Sequence, residues 1–363
     1  MTGAMPGKNR YPNISAVLLA LAVIVFTVKT AATPRSGISL YGDLPLWARL
    51  IPGIIALLGG AAWFLPSFGK IKKYVKPALV ILLATQIAEH VVFPVVDTYL
   101  SVRDLTRIPE QGKFLDSMVY IASRYWPDFL RGLSVTLRLS LAGTVAGLLL
   151  AIIFVFFRTL PVGERDGEIA VFLKRSGNFL VKTYVNVFRG TPMMVQAVII
   201  YYLLPVALAA LFKVPQAEVD KIFTLMTAGF VVVTLNTAAY LTEVLRGGIE
   251  AVDKGQLEAA RSLGMSYWQA MRLVIFPQGI KNALPAICNE FLINIKDTSV
   301  LNVIGVAELF FVAQDAKYQY YRTYEPFIIA AVIYLVVTLS TSRLIMAIEK
   351  RMNLEVKELP SSN

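Results

Sequence analysis

Runs of about 20 apolar residues recur along this chain, and they leave few folds open. A helix rises about 1.5 Å per residue, so each run matches the roughly 30 Å hydrocarbon core of a bilayer. Inside lipid every backbone N–H and C=O must be satisfied within the protein, which only helices and closed barrels achieve. The runs are too long and too uniformly apolar for barrel strands, which span in about 10 residues of alternating character. Composition agrees: 56% of the residues are apolar and 16% charged, against roughly 25% charged in soluble domains. The expectation is an all-α polytopic membrane protein.

About eight spans are legible, with boundaries good to a few residues. They fall near 14–32, 48–66, 76–96, 132–157, 184–212, 222–246, 284–304 and 325–347. The net charge of +11 comes from lysines and arginines in loops beside the apolar runs. That placement fits the cationic excess of cytoplasmic loops better than a nucleic-acid surface, so no nucleic-acid partner is expected. "PGKNR", "KIKKYVK" (70–76), "RTLPVGERDGEIAVFLKR" (158–175) and "EKRMNLEVK" share one side if both termini are cytoplasmic. The 97–131 loop, whose five acids balance its five bases, then lies outside. "MVYIASRYWPDFLRGL" reads as an amphipathic helix lying at the outer interface. The first span also resembles a signal peptide, but "KTAATPRS" is a weak cleavage match because Lys29 intrudes.

Metal and redox chemistry find little support. The single cysteine, Cys288, sits in an apolar stretch and reads as a buried inert thiol. The single histidine, His90, lacks clustered ligands and reads as a helix-packing or interface residue. No Gly-Lys pair is followed by Ser or Thr, so no phosphate-cradling loop of the Walker kind is present, and no zinc-protease pair or serine elbow occurs. The chain is not expected to be an enzyme and needs no cofactor of its own.

One segment breaks the apolar pattern. "EAARSLGMSYWQAMRLVIFP" (258–277) is charged, helix-prone and interrupted by Gly264, which suggests a bend between two short helices. Glu258 and Arg261 share a face. A knob that fills a partner's groove and an interfacial helix lying on lipid both fit this pattern. "GTVAG" (143–147) likewise permits close helix approach or simply tolerates glycine. Arg189, Gly190, Thr191 and Pro192 predict a kink. Arg189 itself can serve as a gate or motor contact, or as a headgroup anchor.

Polar residues inside spans are candidates for function. Glu290, Asn294 and Asp297 share a face of the seventh span beside Lys296, Thr298 and Ser299. Asn236, Thr237, Tyr240 and Glu243 form a stripe in the sixth. Glu290 can hold an ammonium, while Asn236 and Thr237 can donate to a carboxylate. Lys296–Asp297 and Glu243–Arg246 read as ion pairs fixing helix register. The expected substrate set is Asn236, Thr237, Tyr240, Glu290, Asn294 and Thr298. In the first three spans only Gln86, Glu89 and His90 stand out.

The 258–277 stretch resembles the EAA loop of ATP-binding-cassette (ABC) importer permeases. Glu258, Ala259, Ala260 and Gly264 match its pattern, with Val274 and Phe276-Pro277 where Ile and Leu-Pro are usual. "YVNVFRGTPMMVQAVIIYYLLP", "AAYLTEVLRGGIEAVDKGQLEAA", "NEFLINIKDTSVLNVIGVAELF" and "GLSVTLRLSLAG" resemble the polar-amino-acid permeases of the glutamine and histidine class, over about 125–350. The resemblance implies a five-helix type I permease core (131–348) with a coupling helix at 253–276. It would follow three extra helices (1–97) and an extracytoplasmic loop (98–130), and precede a cytoplasmic tail (349–363). Glu258, Ala259, Ala260 and Gly264 would dock on an ATPase dimer that binds ATP and Mg. An extracytoplasmic amino-acid-binding protein and a second permease, identical or a sister, would complete the assembly in a bacterial cytoplasmic membrane. Contacts of family members with a membrane-embedded site fall at positions like Asn236 and Glu290. Two rivals are a proton-coupled secondary transporter using Glu290 or Asp297, and a scaffold whose knob only recruits a partner.

Overall fold

The computed structural model describes residues 14–32, 37–41, 44–62, 72–163 and 166–351. The candidate cleavage site, the end of the second expected span, part of the 70–76 basic loop and the tail beyond 351 lie wholly or partly outside the described residues. The described residues fold as helices joined by turns and loops, and no strand occurs among them. Among the described residues five helices are long and apolar enough to cross a membrane, or six if the bent pair Tyr267–Ile304 and Leu309–Tyr320 is one span. Ser15–Thr30 and Leu46–Ala61 are apolar but shorter. The chain packs as two compact units, divided after Ser123.

The first unit holds α1 (Ile14–Ala32), α2 (Leu46–Ala62), α3 (Lys72–Ile87) and α4 (Phe93–Val102), with a π-helical turn, Ala88–Val92, between the last two. Ala20, Val23, Ala56, Val75 and Leu79 form its core. His90 takes the packing role expected of it: its Nε2 lies 2.7 Å from Thr30 Oγ1, and its ring stacks on Phe26 at 5.4 Å.

The helix α5 (Phe114–Thr159) runs unbroken for 46 residues, with Pro127 inside it. The expected separate interfacial helix is therefore continuous with the fourth span. The proline removes one ladder bond without ending the helix. The second unit continues with α6 (Glu168–Gly190), α7 (Met193–Phe212), α8 (Gln216–Ile222) and α9 (Leu225–Glu250). It ends with α10 (Lys254–Ser262), α11 (Tyr267–Ala270), α12 (Phe276–Asp297), α13 (Leu309–Tyr320) and α14 (Glu325–Arg351).

The fifth expected span, 184–212, is not one helix. It splits at Thr191, whose extended backbone (φ −124°, ψ 146°) separates α6 from α7. Pro192 forces this, because the residue before a proline is driven out of the helical region. The expected kink is a break, and the apolar span begins at Met193. The helix α6 is amphipathic, with Ile169, Phe172, Leu173 and Leu180 exposed along one face.

The centre of the second unit is α9. Over half (56%) of its most apolar window is buried, against 11% for α14. One end packs with Leu139, Ala197, Ile200 and Leu301; the other packs with Ala151, Val155, Ile275 and Ile287. The paired glycines decide the "GTVAG" question for close approach. A Cβ on Gly143 would lie 2.4 Å from Val233 Cγ1, and one on Gly147 2.9 Å from Thr237 Cβ. Without side chains there, α5 and α9 pack backbone to side chain, as small residues allow in membranes.

Candidate functional site: an exposed loop helix and a divided polar stripe

The charged interruption folds as two short helices joined by a structured turn. Asp253 caps α10, accepting a hydrogen bond from Gly255 N at 2.7 Å. The helix closes with Gly264 N donating to Arg261 O (3.0 Å) and Met265 N to Ala260 O (3.2 Å). This is the Schellman arrangement, which needs a left-handed residue. Gly264 supplies it at φ +84°. Ser266 and Gln269 then form a capping box that opens α11. Ala260 is buried, while Glu258 and Ala259 are exposed and Leu263 stands 82% exposed.

The second helix is tied to the end of α5. Trp268 stacks on Phe156 with ring centres 5.3 Å apart, and Tyr267 donates to Thr159 O at 3.4 Å. A π-helical turn, Met271–Ile275, leads into α12. The segment thus offers Glu258, Ala259 and Leu263 outward from a base gripped by α5. Beyond it, Ile275 and Ala283 pack in one cluster with Ala151 and Val155 of α5 and Leu241 and Leu245 of α9.

The intramembrane residues divide into groups. Asn294 Nδ2 donates to Thr144 Oγ1 (2.8 Å) and Thr237 Oγ1 (2.9 Å), tying α12 to α5 and α9. Thr298 is fully buried and bonds Ile295 O at 3.1 Å. Asn236 faces the α6–α7 break, donating to Gln196 Oε1 at 3.0 Å. Gln196 Nε2 in turn reaches Phe188 O (2.8 Å), Thr191 O (3.0 Å) and Thr191 Oγ1 (2.9 Å). It satisfies carbonyls that the end of α6 leaves without helical partners. One turn along α9, Tyr240 lies under Arg189, whose guanidinium carbon is 5.4 Å from the ring centre. Arg189 thus belongs to the same cluster as Asn236 and Gln196.

Glu290 stands apart. It is buried, 9% exposed, with no hydrogen bond or ion pair to any described residue. A carboxyl in that condition inside a span is expensive unless something else meets it. The expected Glu243–Arg246 pair is present at 2.8 Å and extends to Arg158 at 3.2 Å. The expected Lys296–Asp297 pair is not formed; adjacent residues on a helix point about 100° apart and both are exposed. Cys288 is half-buried, not buried. Sequence reading missed Gln196 and the Ser266–Gln269 box. The box was signalled by its Ser-x-x-Gln spacing. Gln196 had no local signal, because its partners lie across a chain break.

An all-α membrane protein with an exposed, rigidly mounted loop helix and few intramembrane polar groups has the architecture of a transport subunit. Comparison makes this specific: residues 168–354 match the family described as "Binding-protein-dependent transport system inner membrane component". The chain belongs to that family. It is 34% identical over 235 residues to the glutamine transport system permease protein GlnP of Escherichia coli (strain K12), covering 64% of this chain and 97% of that one. It is also 34% identical over 226 residues to the arginine transport system permease protein ArtQ of Bacillus subtilis (strain 168), covering 62% and 93%. A solved structure described as an amino acid ABC transporter with histidines matches with a TM-score of 0.55 and 35% identity, over 67% of this chain and all of that one. The resemblance to amino-acid permeases read from the sequence is borne out.

Proposed function

We propose that this chain is the transmembrane subunit of an ATP-driven importer that carries polar amino acids into the cytoplasm. The observation that carries the reading is the 258–264 segment, folded as an exposed helix on a base fixed to α5. An importer needs such a part: a protrusion that receives motion from a motor and passes it to the spans. The relatives named for glutamine and arginine support the substrate class. In this reading two permeases, identical or sister chains, enclose the path in a bacterial cytoplasmic membrane, with both termini cytoplasmic. Two ATPase subunits bind ATP and Mg below and dock on Glu258, Ala259, Ala260 and Gly264. A binding protein delivers substrate from outside. ATP-driven closure of the motors draws the loop helices together and opens the path outward; hydrolysis resets it.

Within the spans, Glu290 meets the substrate's ammonium, and Asn236 and Tyr240, beside Arg189, lie toward its carboxylate. Thr237, Asn294 and Thr298, engaged in packing hydrogen bonds, take supporting places along the path. The test is purification from native membranes in mild detergent, followed by mass spectrometry. A co-purifying ATPase with a phosphate-binding loop supports the reading, and a second permease in the sample decides heterodimer over homodimer. A chain that stays alone after cross-linking sinks it. The unpartnered Glu290 favours a second reading, a proton-coupled transporter. Uptake that follows a proton gradient without ATP would establish that one instead.

A further inference from the structure

Beside the loop helix lies a groove of about 310 Å³. It is lined by Ile152, Phe156 and Thr159 of α5 and by Trp268, Met271 and Phe276, with the stacked rings of Phe156 and Trp268 making a continuous apolar surface. Arg272 also lines it and is the only charged residue that does. It is exposed and has no ion pair or hydrogen bond to another described residue. The groove opens where α5 ends, at Thr159. In a protein spanning a bilayer, the end of an apolar helix lies at the headgroup level, where tryptophan is also favoured.

We infer that this groove seats an anionic phospholipid of the cytoplasmic leaflet, with one acyl chain against Phe156, Trp268 and Phe276 and its phosphate on Arg272. Two features of the site point to one molecule. The walls match a hydrocarbon chain, and the single unpaired cation at the same place matches an anion. A zwitterionic lipid satisfies the first and only half of the second, because its own cation competes for the phosphate. The inference rests on the reading that places residues 253–276 on the cytoplasmic side. Its consequence is mechanical. The occupant lies along the joint between the last turns of α5 and the chain returning from the loop helix, over the stacked rings of Trp268 and Phe156 that close it. An anionic lipid there stiffens the link between loop and spans.

The test uses the full chain with Trp268 as its only tryptophan, Trp47, Trp63 and Trp126 being replaced by phenylalanine. The protein is placed in nanodiscs of phosphatidylcholine containing a small fraction of phosphatidylglycerol with brominated acyl chains, which quench indole fluorescence on contact. Trp268 is expected to be quenched at least threefold more by brominated phosphatidylglycerol than by brominated phosphatidylcholine at equal fraction. Arg272→Gln should abolish the difference and Arg272→Lys should retain it. Equal quenching by the two lipids would overturn the proposal, since the groove is then an unselective lipid-facing surface. Absence of quenching by either would overturn it too, since protein then covers the groove. Recovery of an ATPase partner is read separately and does not involve Arg272, so failure here and failure of the importer reading are distinguishable.

Discussion

Each unit of the chain buries glutamates, and it treats them differently. In the first, Glu89 is 2% exposed and accepts hydrogen bonds from Leu40 N at 2.7 Å and from the Ser39 hydroxyl. In the second, Glu308 is fully buried and caps α13, accepting from Phe310 N, Phe311 N and Tyr334 OH. Glu325 lies 3.8 Å from Arg322. Only Glu290, among the buried glutamates of the described residues, has no such partner. The first three hold structure together. The fourth is a buried acceptor without a partner among the described residues, which is costly inside a span and marks it as a candidate for function. The contrast extends to the units themselves. The family match begins at residue 168, inside the second unit, while Glu89 and His90 of the first bond residues of that same unit.

The sharpest way to break this contrast is at the loop. Replacing Glu258 by Lys together with Gly264 by Val is expected to reduce ATP-driven uptake to background while leaving the chain inserted. The valine adds roughly 1–2 kcal/mol of left-handed strain at φ +84°. Normal uptake by that variant, measured with radiolabelled amino acid in vesicles, would remove the coupling role. Next comes Glu290→Gln, which keeps shape and removes charge. Uptake should fall about tenfold, equivalent to roughly 1.4 kcal/mol, with thermal stability unchanged or raised. A Glu290→Gln protein that loses stability instead would place Glu290 with Glu308 as a structural residue.

Gly147→Leu drives a side chain into Thr237 and should destabilise the α5–α9 contact by about 1–3 kcal/mol, read as a lower melting temperature in detergent. Asn294→Ala removes a three-helix hydrogen-bonded junction, yet such bonds average only about 0.6 kcal/mol in membranes, so a small loss is expected. Smallest of all in transport should be His90→Ala. It unpins α1 from the Ala88–Val92 turn, lowering protection of α1 in hydrogen exchange while uptake stays near that of the unmodified chain. A large uptake defect there would give the first unit a part in transport.

Much of the fold was legible because lipid imposes a rule that sequence obeys locally: a span is a run of apolar residues, wherever it packs. The Gly264 bend, an interruption at Thr191-Pro192 and the Glu243–Arg246 pair were readable for the same reason, since each depends on residues within a few positions. The division of the polar stripe was not. Asn236 and Thr237 are neighbours in sequence, yet one bonds Gln196 and the other Asn294. Helix rotation sends adjacent residues about 100° apart, and only the positions of α5, α7 and α12 around α9 decide what each meets. Periodicity likewise could not show that Lys296 and Asp297 stay unpaired, or that α5 continues through Pro127.

By itself, then, the sequence determined the helical class, the site of the loop helix and its turn, and the family, because apolar runs, caps and motif spacing are local properties of the chain. Tertiary structure alone decided which buried polar groups are satisfied. That depends on partners 150 residues away and more, as for Asn294 with Thr144 and Thr136 with Leu309 N, and it is what leaves Glu290 open.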